Sequence, residues 1–554
     1  MPAMRPSRPR MRSCAVLAVA AAVLPAIGGC PAAGPATSPD GGIESHPAAT
    51  FAPAPPAMRR LTRAQYLNSV RDLLGMEVAL PVELEADTPL NGFASIGAAR
   101  ITIPPVAVER YEAAALALAE AAMAPEHRDS LVPCRPDGVW DEACAAHFLG
   151  TFGRRAWRRP LDDLQLATLL AVAKEGAETE GDFYAGLKWA IATILQSPRF
   201  LFRQEQGVPD PNDPTRRRYD DWEMATRLSY FLWNTTPDDA LLDAAAAGRL
   251  TTDEGIRAEV RRLLADPRAR DGLRNFFSEF LQLDKLDGLA KDPDLYPQYS
   301  DALASEMRLE VLRTVEDLLL ERGESLLSLY TSRHTWVGDG LAALYGLPPA
   351  GGEMRPVDLP PESQRVGLLG KAAFLAVNAH VRDTSPTYRG RFVRENLLCT
   401  SVPSPPPGVN TEIPAPDEHA RTLRERLAAH QEVEECAACH KMMDPIGFGL
   451  ENFDAIGQWR DTDNGVPIDA TGELDGVPFD GPESLARAVA NHPKAAECLV
   501  RQIYRYATAH VERPGEAVVI DEVMKAFDEG SGRFEAVVEA IALSRGFREA
   551  GPVP

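Results

Sequence analysis

Two cysteines and a histidine stand close together near the C-terminal end of the sequence, in the order Cys436-Ala437-Ala438-Cys439-His440. The spacing C-x-x-C-H is the attachment signature of a c-type haem. Cysteines three positions apart reach the two vinyl groups of one porphyrin, and the adjoining histidine serves as an axial ligand of the iron. The segment therefore predicts one covalent haem c, held by Cys436 and Cys439, with His440 as the proximal iron ligand.

The same two cysteines also have the spacing of a zinc knuckle. Cys399 and Cys498 would complete a four-sulfur tetrahedron around such a zinc ion. A structural disulfide at Cys436 and Cys439 is a further alternative. Haem is the favoured interpretation, and the two metal hypotheses make opposite predictions about Cys399 and Cys498.

No motif fixes the second axial ligand of the iron. Met443 lies only three residues beyond His440, on the proximal side, so it does not reach the opposite face. His430, His380 and His510 are the distal candidates, although a histidine is more often a surface or hydrogen-bonded residue than a ligand. An open iron position would permit ligand or peroxide chemistry, whereas a filled one favours electron transfer.

The N-terminus has the features of an export signal. A basic stretch with four arginines is followed by an apolar run over residues 15–27, which is too short to cross a bilayer as a helix. It ends in A-I-G-G-C at residues 26–30, which resembles a bacterial lipobox and implies cleavage before Cys30 and lipid on its sulfur. Ordinary secretory cleavage is the alternative. We expect a lipoprotein of the cell envelope, on the periplasmic side or the outer surface.

The charge of the chain limits its partners. The net charge is −22, and removal of residues 1–29 takes away four arginines and no acid. Such an acidic surface argues against nucleic acid and against anionic membranes, so we expect membrane contact through the lipid anchor only. A redox partner with a basic docking surface would be steered towards it.

Four cysteines are left for pairing in an oxidising compartment: Cys134, Cys144, Cys399 and Cys498. Four cysteines allow three pairings. The nearest pairing joins Cys134 with Cys144 and leaves Cys399 to Cys498, which would link the segment before the C-x-x-C-H motif to the segment after it.

Helical periodicity dominates the sequence and predicts a mainly α fold. Residues 61–75 place their apolar side chains on one side, with Thr62 as cap and Gly75 as stop. Similar patterns recur at 108–123, 143–152, 164–174, 183–195, 222–232, 258–264, 273–281, 307–320, 369–377 and 484–489. The aromatic clusters at 230–233 and 276–277 are interpreted as core.

Proline and glycine mark the boundaries between the modules. We expect a signal peptide at 1–29, a lipidated tether at 30–57, helical modules at 58–130, 131–207, 215–346 and 362–400, a Pro-rich spacer at 401–416, and a haem-bearing module at 417–550. Asp444-Pro445 is expected to cap a short helix through Phe453. The acidic run at 461–473 resembles a shortened calcium loop, but its register is off by one residue, and Asn464-Gly465 favours a β-hairpin turn.

Five stretches, in order, resemble a modular family of uncharacterised, secreted, cytochrome c-like proteins of planctomycete and myxobacterial type. They are R-L-T with D-L-L-G at 60–75, F-G-R-R-A-W-R-R-P-L at 152–161, A-T-R-L-S-Y-F-L-W at 225–233, T-S-P-T-Y-R-G with R-E-N-L-L-C at 384–399, and C-x-x-C-H with M-D-P-I-G-F-G-L-E at 436–451. The resemblance spans nearly all of the mature chain. It implies a multi-module helical protein that ends in a small cytochrome c-like module with a short β-hairpin, and it implies no defined activity.

Arginines recur in two of these stretches, at 154, 155, 158 and 159 and again at 389, 391 and 394. They would dock a haem propionate or another anion, or neutralise internal carboxylates, and the second interpretation is preferred. The function expected from the sequence is electron transfer, alone or as the haem-bearing part of an oxidoreductase. The alternative is a non-catalytic envelope binding or scaffold protein with zinc or disulfide at the cysteines. No hydrolase constellation is recognisable.

Overall fold

Helices form most of this protein, and they begin and end where the local signals are strong. Helix α1 (Arg63–Leu74) follows Thr62, whose side chain accepts a hydrogen bond from the backbone N–H of Gln65 (3.2 Å). It ends at Gly75, which has a left-handed backbone with φ 66°. The mainly α fold predicted from the sequence is confirmed.

The computed structural model describes residues 51–77, 79–100, 103–403, 413, 415–432 and 434–553. For residues 429–432, 434–436 and 438 it describes the backbone alone. The predicted signal peptide, the lipidation site Cys30 and most of the tether lie outside the described residues. No helix among the described residues is both long enough and apolar enough to cross a membrane.

The N-terminal part is a bundle of helices closed by a two-stranded sheet. Its strands β1 (Ala57–Arg60) and β2 (Phe202–Glu205) pair antiparallel, with Ala57 opposite Glu205. After α1 come α2 (Ala94–Gly97), α3 (Pro105–Ala122), α4 (Pro125–Leu131), α5 (Glu142–Trp157), α6 (Asp163–Glu180), α7 (Phe183–Gln196) and α8 (Pro198–Leu201).

The central part begins with a hairpin of β3 (Val208–Asp210) and β4 (Asp213–Arg218), which includes the stretch between the predicted modules 131–207 and 215–346. Its helices are α9 (Asp221–Leu232), α10 (Asp239–Ala246), α11 (Asp253–Ala265), α12 (Ala269–Phe280), α13 (Asp301–Glu316), α14 (Ser328–Thr331) and α15 (Asp339–Leu344). A 3₁₀ turn (Leu283–Leu286) and a π-helical turn (Asp317–Glu321) flank α13, and β5 (His334–Val337) pairs with β6 (Arg355–Asp358).

The C-terminal part holds the remaining elements. Its helices are α16 (Ala372–Val377), α17 (Pro386–Phe392), α18 (Leu423–Glu432), α19 (Glu434–Phe448), α20 (Gly481–Ala490), α21 (Ala495–Thr508), α22 (Ala517–Glu529), α23 (Phe534–Leu543) and α24 (Arg545–Arg548). Its strands are β7 (Thr462–Asp463), β8 (Val466–Pro467), β9 (Thr471–Leu474), β10 (Val477–Asp480) and β11 (Glu549–Ala550). It also has 3₁₀ turns at Pro361–Ser363, Leu368–Gly370 and Pro514–Glu516 and a π-helical turn at Val393–Leu397.

The predicted β-hairpin lies between Trp459 and Ile468. Strands β7 and β8 pair antiparallel, and the turn residues Asn464 and Gly465 have φ 47° and 75°. Two successive positive φ angles fit the turn type that Asn-Gly favours.

Two large apolar clusters form the core. One gathers buried side chains from α1, α3 and α5 to α8 together with Tyr230, and the other joins the central part to the C-terminal helices. The aromatic residues of 230–233 and 276–277 are buried, and the indole N–H of Trp233 donates to the carbonyl oxygen of Leu263 (2.8 Å). These clusters are core, as predicted.

One predicted boundary is wrong. The tether was expected to run to residue 57, but Phe51 is buried, and the N–H of Ala52 donates to the carbonyl oxygen of Gly515 (2.9 Å).

The predicted Pro-rich spacer 401–416 lies mostly outside the described residues. Helix α19, which follows it, packs directly on α17, because glycines on both helices let the backbones touch.

Candidate functional site

Helix α19 carries the C-x-x-C-H motif in its first two turns. Positions 436, 439 and 440 share one face of this helix, because residues three and four apart lie above one another. Cys439 is a half-buried free thiol whose Sγ lies 3.6 Å from the carbonyl oxygen of Pro403. The side chain of Cys436 lies outside the described part of the structure.

A buried carboxylate contacts the ring of His440 at Nδ1. Its Nδ1 lies 2.8 Å from Oδ2 of Asp444, and the hydroxyl of Thr387 donates to Oδ1 of the same carboxylate (2.8 Å). Asp444 is fully buried, and the hydrogen bond to Asp444 raises the pKa of His440. A carboxylate on one ring nitrogen is the usual way in which a metal-binding histidine is oriented, with the other nitrogen as the ligand. The residues present therefore fit a proximal iron ligand.

The expected role of Asp444 as a helix cap is wrong. Helix α19 continues through Asp444 and Pro445 to Phe448. The carboxylate that would have capped a new helix is used by His440 and Thr387 instead. The sequence signal for this contact is the spacing of four residues between His440 and Asp444 on one helix.

Helices α17 and α19 meet through two reciprocal glycine contacts. A β-carbon on Gly390 would lie 1.9 Å from the carbonyl oxygen of Met443, and one on Gly447 would lie 1.9 Å from that of Pro386. No other residue type fits at these positions without moving the backbone. The T-S-P-T-Y-R-G stretch is thus the surface on which the histidine-bearing helix rests.

A buried ionic network lies below this contact. Glu451 accepts hydrogen bonds from the hydroxyl of Thr384 (2.8 Å) and from Arg460 (2.9 Å), and Arg389 lies 3.5 Å away. Burial raises the pKa of Glu451 and lowers that of Arg389 to about 10. The network fixes the loop that follows α19.

Arg389 and Arg158 are the most deeply buried arginines of the two Arg-containing stretches, and they bind mainly backbone carbonyl groups. The preferred prediction, that these arginines neutralise internal carboxylates, does not describe these two residues. Arg389 donates to the carbonyl oxygens of Leu450 (2.8 Å), Phe453 (2.9 Å) and Asp454 (2.8 Å). Arg158 donates to four carbonyl oxygens, those of Ala156, Arg199, Phe200 and Phe202. Arg154 and Arg391 do pair with carboxylates, at Asp243 (2.6 Å) and Glu395 (2.9 Å).

The four cysteines left for pairing form two disulfides. Cys134 is bonded to Cys144, and Cys399 is bonded to Cys498. Because Cys399 and Cys498 are bonded to each other, neither presents the thiolate that a four-sulfur zinc site needs. Among the described residues, no group of three or more His, Cys, Asp and Glu side chains is arranged to hold a metal ion.

Arg394 joins the histidine-bearing helix to the next segment of the chain. It lies in the π-helical turn before Cys399, its Nε donates to the carbonyl oxygen of Met442 (3.0 Å), and one terminal nitrogen donates to Asp475 (2.7 Å). His492 lies 3.0 Å from the second oxygen of Asp475. This chain of contacts and the Cys399–Cys498 bond connect the same two segments.

The three distal candidates fall in different places. Both ring nitrogens of His510 are engaged, at the carbonyl oxygen of Thr508 (3.3 Å) and at Glu516 (2.9 Å), so the structure does not present it as a ligand. His380 is exposed, with its ring 5.1 Å from that of Tyr388. His430 belongs to α18, and its side chain lies outside the described residues.

Five family models match the chain in succession, each described as a protein of unknown function. They are DUF1587 over residues 59–124, DUF1595 over 144–205, DUF1592 over 219–347, DUF1588 over 365–463 and DUF1585 over 475–547. In this order of five domains the chain resembles the modular planctomycete type that its sequence motifs indicated. The descriptions of the models name no cofactor and no activity. No curated protein and no solved structure matches the chain.

The DUF1588 match contains both α17 and α19, and therefore His440, Asp444 and Thr387. This single domain includes stretches that the sequence analysis assigned to separate modules at 362–400 and 417–550. The DUF1592 and DUF1585 matches include the central helices and the helices after β10. The Arg394–Asp475 ion pair and the Cys399–Cys498 bond thus link DUF1588 to DUF1585.

Proposed function

We propose that this protein is an envelope-anchored c-type monohaem protein that transfers electrons, alone or as the haem-bearing part of an oxidoreductase. The observation that carries the proposal is the contact behind His440, where the buried Asp444 holds Nδ1 and Thr387 holds Asp444. Metal-binding histidines are oriented in this way. The free thiol of Cys439 on the preceding residue supplies an attachment point.

Each residue of the site has a separate task in this proposal. Cys436 and Cys439 would hold the porphyrin through thioether bonds, and His440 would bind the iron through Nε2. Asp444 keeps the N–H of His440 on Nδ1, and the close contact of Gly390 with Met443 fixes the helix that carries all three residues. The haem, when bound, supplies a one-electron couple between ferric and ferrous iron.

The compartment follows from the chemistry of attachment and of the cysteines. Covalent haem attachment of this type occurs outside the cytoplasm, and disulfides persist in oxidising compartments. The chain has two disulfides, and its first 29 residues have the pattern of an export signal. We therefore propose a lipoprotein of the cell envelope, anchored through Cys30.

A haem stain and a visible spectrum test the proposal. The chain from residue 31 onward is exported behind a cleavable signal peptide in a host with the c-type maturation machinery. Covalent haem in a denaturing gel and a reduced-minus-oxidised c-type spectrum are expected. Both signals are expected to disappear when Cys436 and Cys439 are changed to alanine.

The matched control changes Cys134 and Cys144 to serine, which removes the same number of cysteines far from the motif in sequence. This variant is expected to keep the haem. A colourless, folded wild-type protein, purified under the same conditions, would overturn the cytochrome proposal and leave an envelope scaffold. A red protein without peroxide turnover would favour electron transfer over catalysis.

A further inference from the structure

A pocket of about 240 Å³ opens where three distant parts of the chain meet. Its walls come from the end of β4, from the loop before α11, and from α24 with β11. The lining residues are Arg218, Tyr219, Met224, Leu250, Thr251, Arg545, Arg548 and Glu549. None of these residues belongs to the DUF1588 domain, so this pocket is separate from the proposed haem site.

The lining of the pocket is cationic although the whole chain carries a charge of −22. Three guanidinium groups line it, from Arg218, Arg545 and Arg548, against one carboxylate, Glu549. The other acidic partners of these arginines are Asp210 and Asp253, which do not line the pocket. The space itself therefore faces an excess of positive charge.

Hydrogen-bond donors remain in this lining. Within the described residues, Arg218 uses only its Nε, which donates to Asp210 (2.7 Å), and its terminal nitrogens bind no acceptor. Arg548 donates one hydrogen bond to Asp253 (2.6 Å) and one to the carbonyl oxygen of Thr251 (2.8 Å). A guanidinium carries five N–H donors, so both groups have several to offer a ligand. Such forks match phosphate oxygens closely.

The floor of the pocket is buried and largely apolar. Tyr219 and Met224 are buried, and the backbone N–H of Tyr219 donates to the carbonyl oxygen of Arg548 (3.1 Å). The guanidinium of Arg227 lies 4.4 Å from the ring of Tyr219 and fixes it from within the protein. A cationic wall over an apolar floor suits a phosphate that carries an organic group.

The pocket lies close to the first described residue of the chain. Phe51, the first described residue, packs under Arg545, whose guanidinium lies 4.3 Å from its ring. A terminal nitrogen of Arg216 also donates to the carbonyl oxygen of Phe51 (3.3 Å). Phe51 therefore lies beside this pocket.

A larger groove of about 580 Å³ provides a contrast. It runs between α11 and α23, and its lining has three arginines and four carboxylates: Arg261, Arg270 and Arg533 against Asp266, Glu321, Glu535 and Glu539. The groove, like the whole chain, has more acidic than basic side chains. The excess of arginines in the smaller pocket is therefore a local feature.

We propose that the pocket between β4, the α11 loop and α24 binds a phosphate group. Two sources share this chemistry, the headgroup of a membrane phospholipid and free phosphate. Binding to a phospholipid headgroup would place this face of the anchored protein on the membrane surface.

The test uses the chain from residue 31 onward, which has no lipid of its own. Inorganic phosphate is titrated into it by calorimetry at constant ionic strength. Wild-type protein is expected to bind phosphate, and the double variant Arg218→Ala with Arg548→Ala is expected to bind it about tenfold more weakly or worse, because two charge-assisted donors are lost. Glu549→Gln is expected to bind more tightly, because it removes the carboxylate from the lining.

Arg217→Ala is the matched control. Arg217 is the neighbour of Arg218 on the same strand, its side chain points to the other face, and it donates to the carbonyl oxygens of Gln206 and Gly207. It is expected to leave phosphate binding unchanged. Thermal melting of every variant shows whether it is folded.

Flotation with vesicles of phosphatidylglycerol and phosphatidylcholine identifies the source. Recruitment to vesicles that inorganic phosphate competes away indicates a headgroup, whereas phosphate binding without recruitment indicates a free phosphate. Absence of binding to both probes overturns the proposal. Equal binding by wild type and the folded double variant also overturns it.

Discussion

Gly390 and Met443 meet backbone to backbone, since a β-carbon on Gly390 would lie 1.9 Å from the carbonyl oxygen of Met443. Met443 lies three residues beyond His440 on α19. The distance between α17 and α19 at this contact therefore also sets the position of His440. A side chain at residue 390 would have to push the two helices apart.

Gly390→Ala is expected to lower the free energy of unfolding by roughly 1–3 kcal/mol, because the added methyl group overpacks this contact. Urea unfolding measures the change. Gly150→Ala in α5 is the control, since a β-carbon there meets nothing within 4 Å. It is expected to stabilise the protein by about 0.5–1 kcal/mol. Equal stability of Gly390→Ala and wild type would contradict the close contact.

Asp444→Asn tests the electrostatic part of the proposed function. The amide keeps the shape of the side chain and its contact with His440 but removes a negative charge 2.8 Å from the ring. Because that charge favours ferric iron over ferrous iron, we expect the midpoint potential of the holoprotein to rise. Thr387→Val, which leaves Asp444 charged, is expected to shift the potential less. A redox titration of both variants that showed no difference would argue against His440 as the iron ligand.

The two disulfides are expected to contribute unequally to stability. Cys399 and Cys498 are 99 residues apart in sequence, whereas Cys134 and Cys144 are 10 apart. The loop-entropy relation gives about 5 kcal/mol for the first and about 3 kcal/mol for the second. Paired serine substitutions, compared by urea unfolding, measure both values. A larger loss for the Cys134–Cys144 pair would contradict the expectation.

Elements whose signals are local could be predicted from the sequence. Thr62 and Gly75 bound α1 as expected, and Asn464-Gly465 turns the hairpin as expected. In each case the residues that specify the structure are neighbours in the chain, so a window of sequence contains all the information needed.

Contacts between distant residues could not be predicted in this way. Asp444-Pro445 has the local signature of a helix start, yet Asp444 lies inside α19, because Thr387 and His440 use its carboxylate. A sequence window around Asp444 does not contain Thr387.

The buried carboxylate of Glu205 was missed for the same reason. It lies among the guanidinium groups of Arg59, Arg203 and Arg227, which come from β1, β2 and α9. Although burial opposes the effect, the three arginines lower the pKa of Glu205 to about 2. Charged residues in a sequence ordinarily indicate a solvated surface, so only the fold reveals this cluster.

A buried polar network joins the DUF1592 domain to DUF1588. Lys371 lies 3.5 Å from Oε1 of Glu310 and donates to the hydroxyl of Thr335 (2.6 Å), and the hydroxyl of Tyr345 donates to Oε2 of Glu310 (2.8 Å). Lys371→Met is expected to cost about 3–5 kcal/mol, because it leaves the carboxylate of Glu310 buried without its cation.

The double variant Lys371→Met with Glu310→Leu is the control for this network, and it is expected to recover part of the loss. The coupling free energy from a double-mutant cycle measures the interaction. Additive single losses would show that the two charges do not interact.

Glu279 gives the stability of the protein a specific pH dependence. Its Oε2 accepts a hydrogen bond from the N–H of Ala94 (2.9 Å), its Oε1 accepts one from Asn275 (2.8 Å), and burial raises its pKa from 4.5 to about 7. Between these two pH values the folded state holds a proton that the unfolded chain has lost. Stability is therefore expected to fall as the pH rises from about 4.5 to 7, and to level off above that.

Glu279→Gln keeps a carbonyl oxygen and removes the titration, so the variant should lack this part of the pH dependence. We compare the free energy of unfolding of wild type with that of Glu279→Gln at each pH. The difference between the two is expected to change by about 2 kcal/mol between pH 4.5 and 8. This is less than the full pKa shift would give, because solvent reaches part of the side chain. Urea unfolding at a series of pH values measures it. Glu175→Gln, on the exposed face of α6, is the control and should follow wild type at every pH. Parallel curves for wild type and Glu279→Gln would show that folding does not raise the pKa of Glu279.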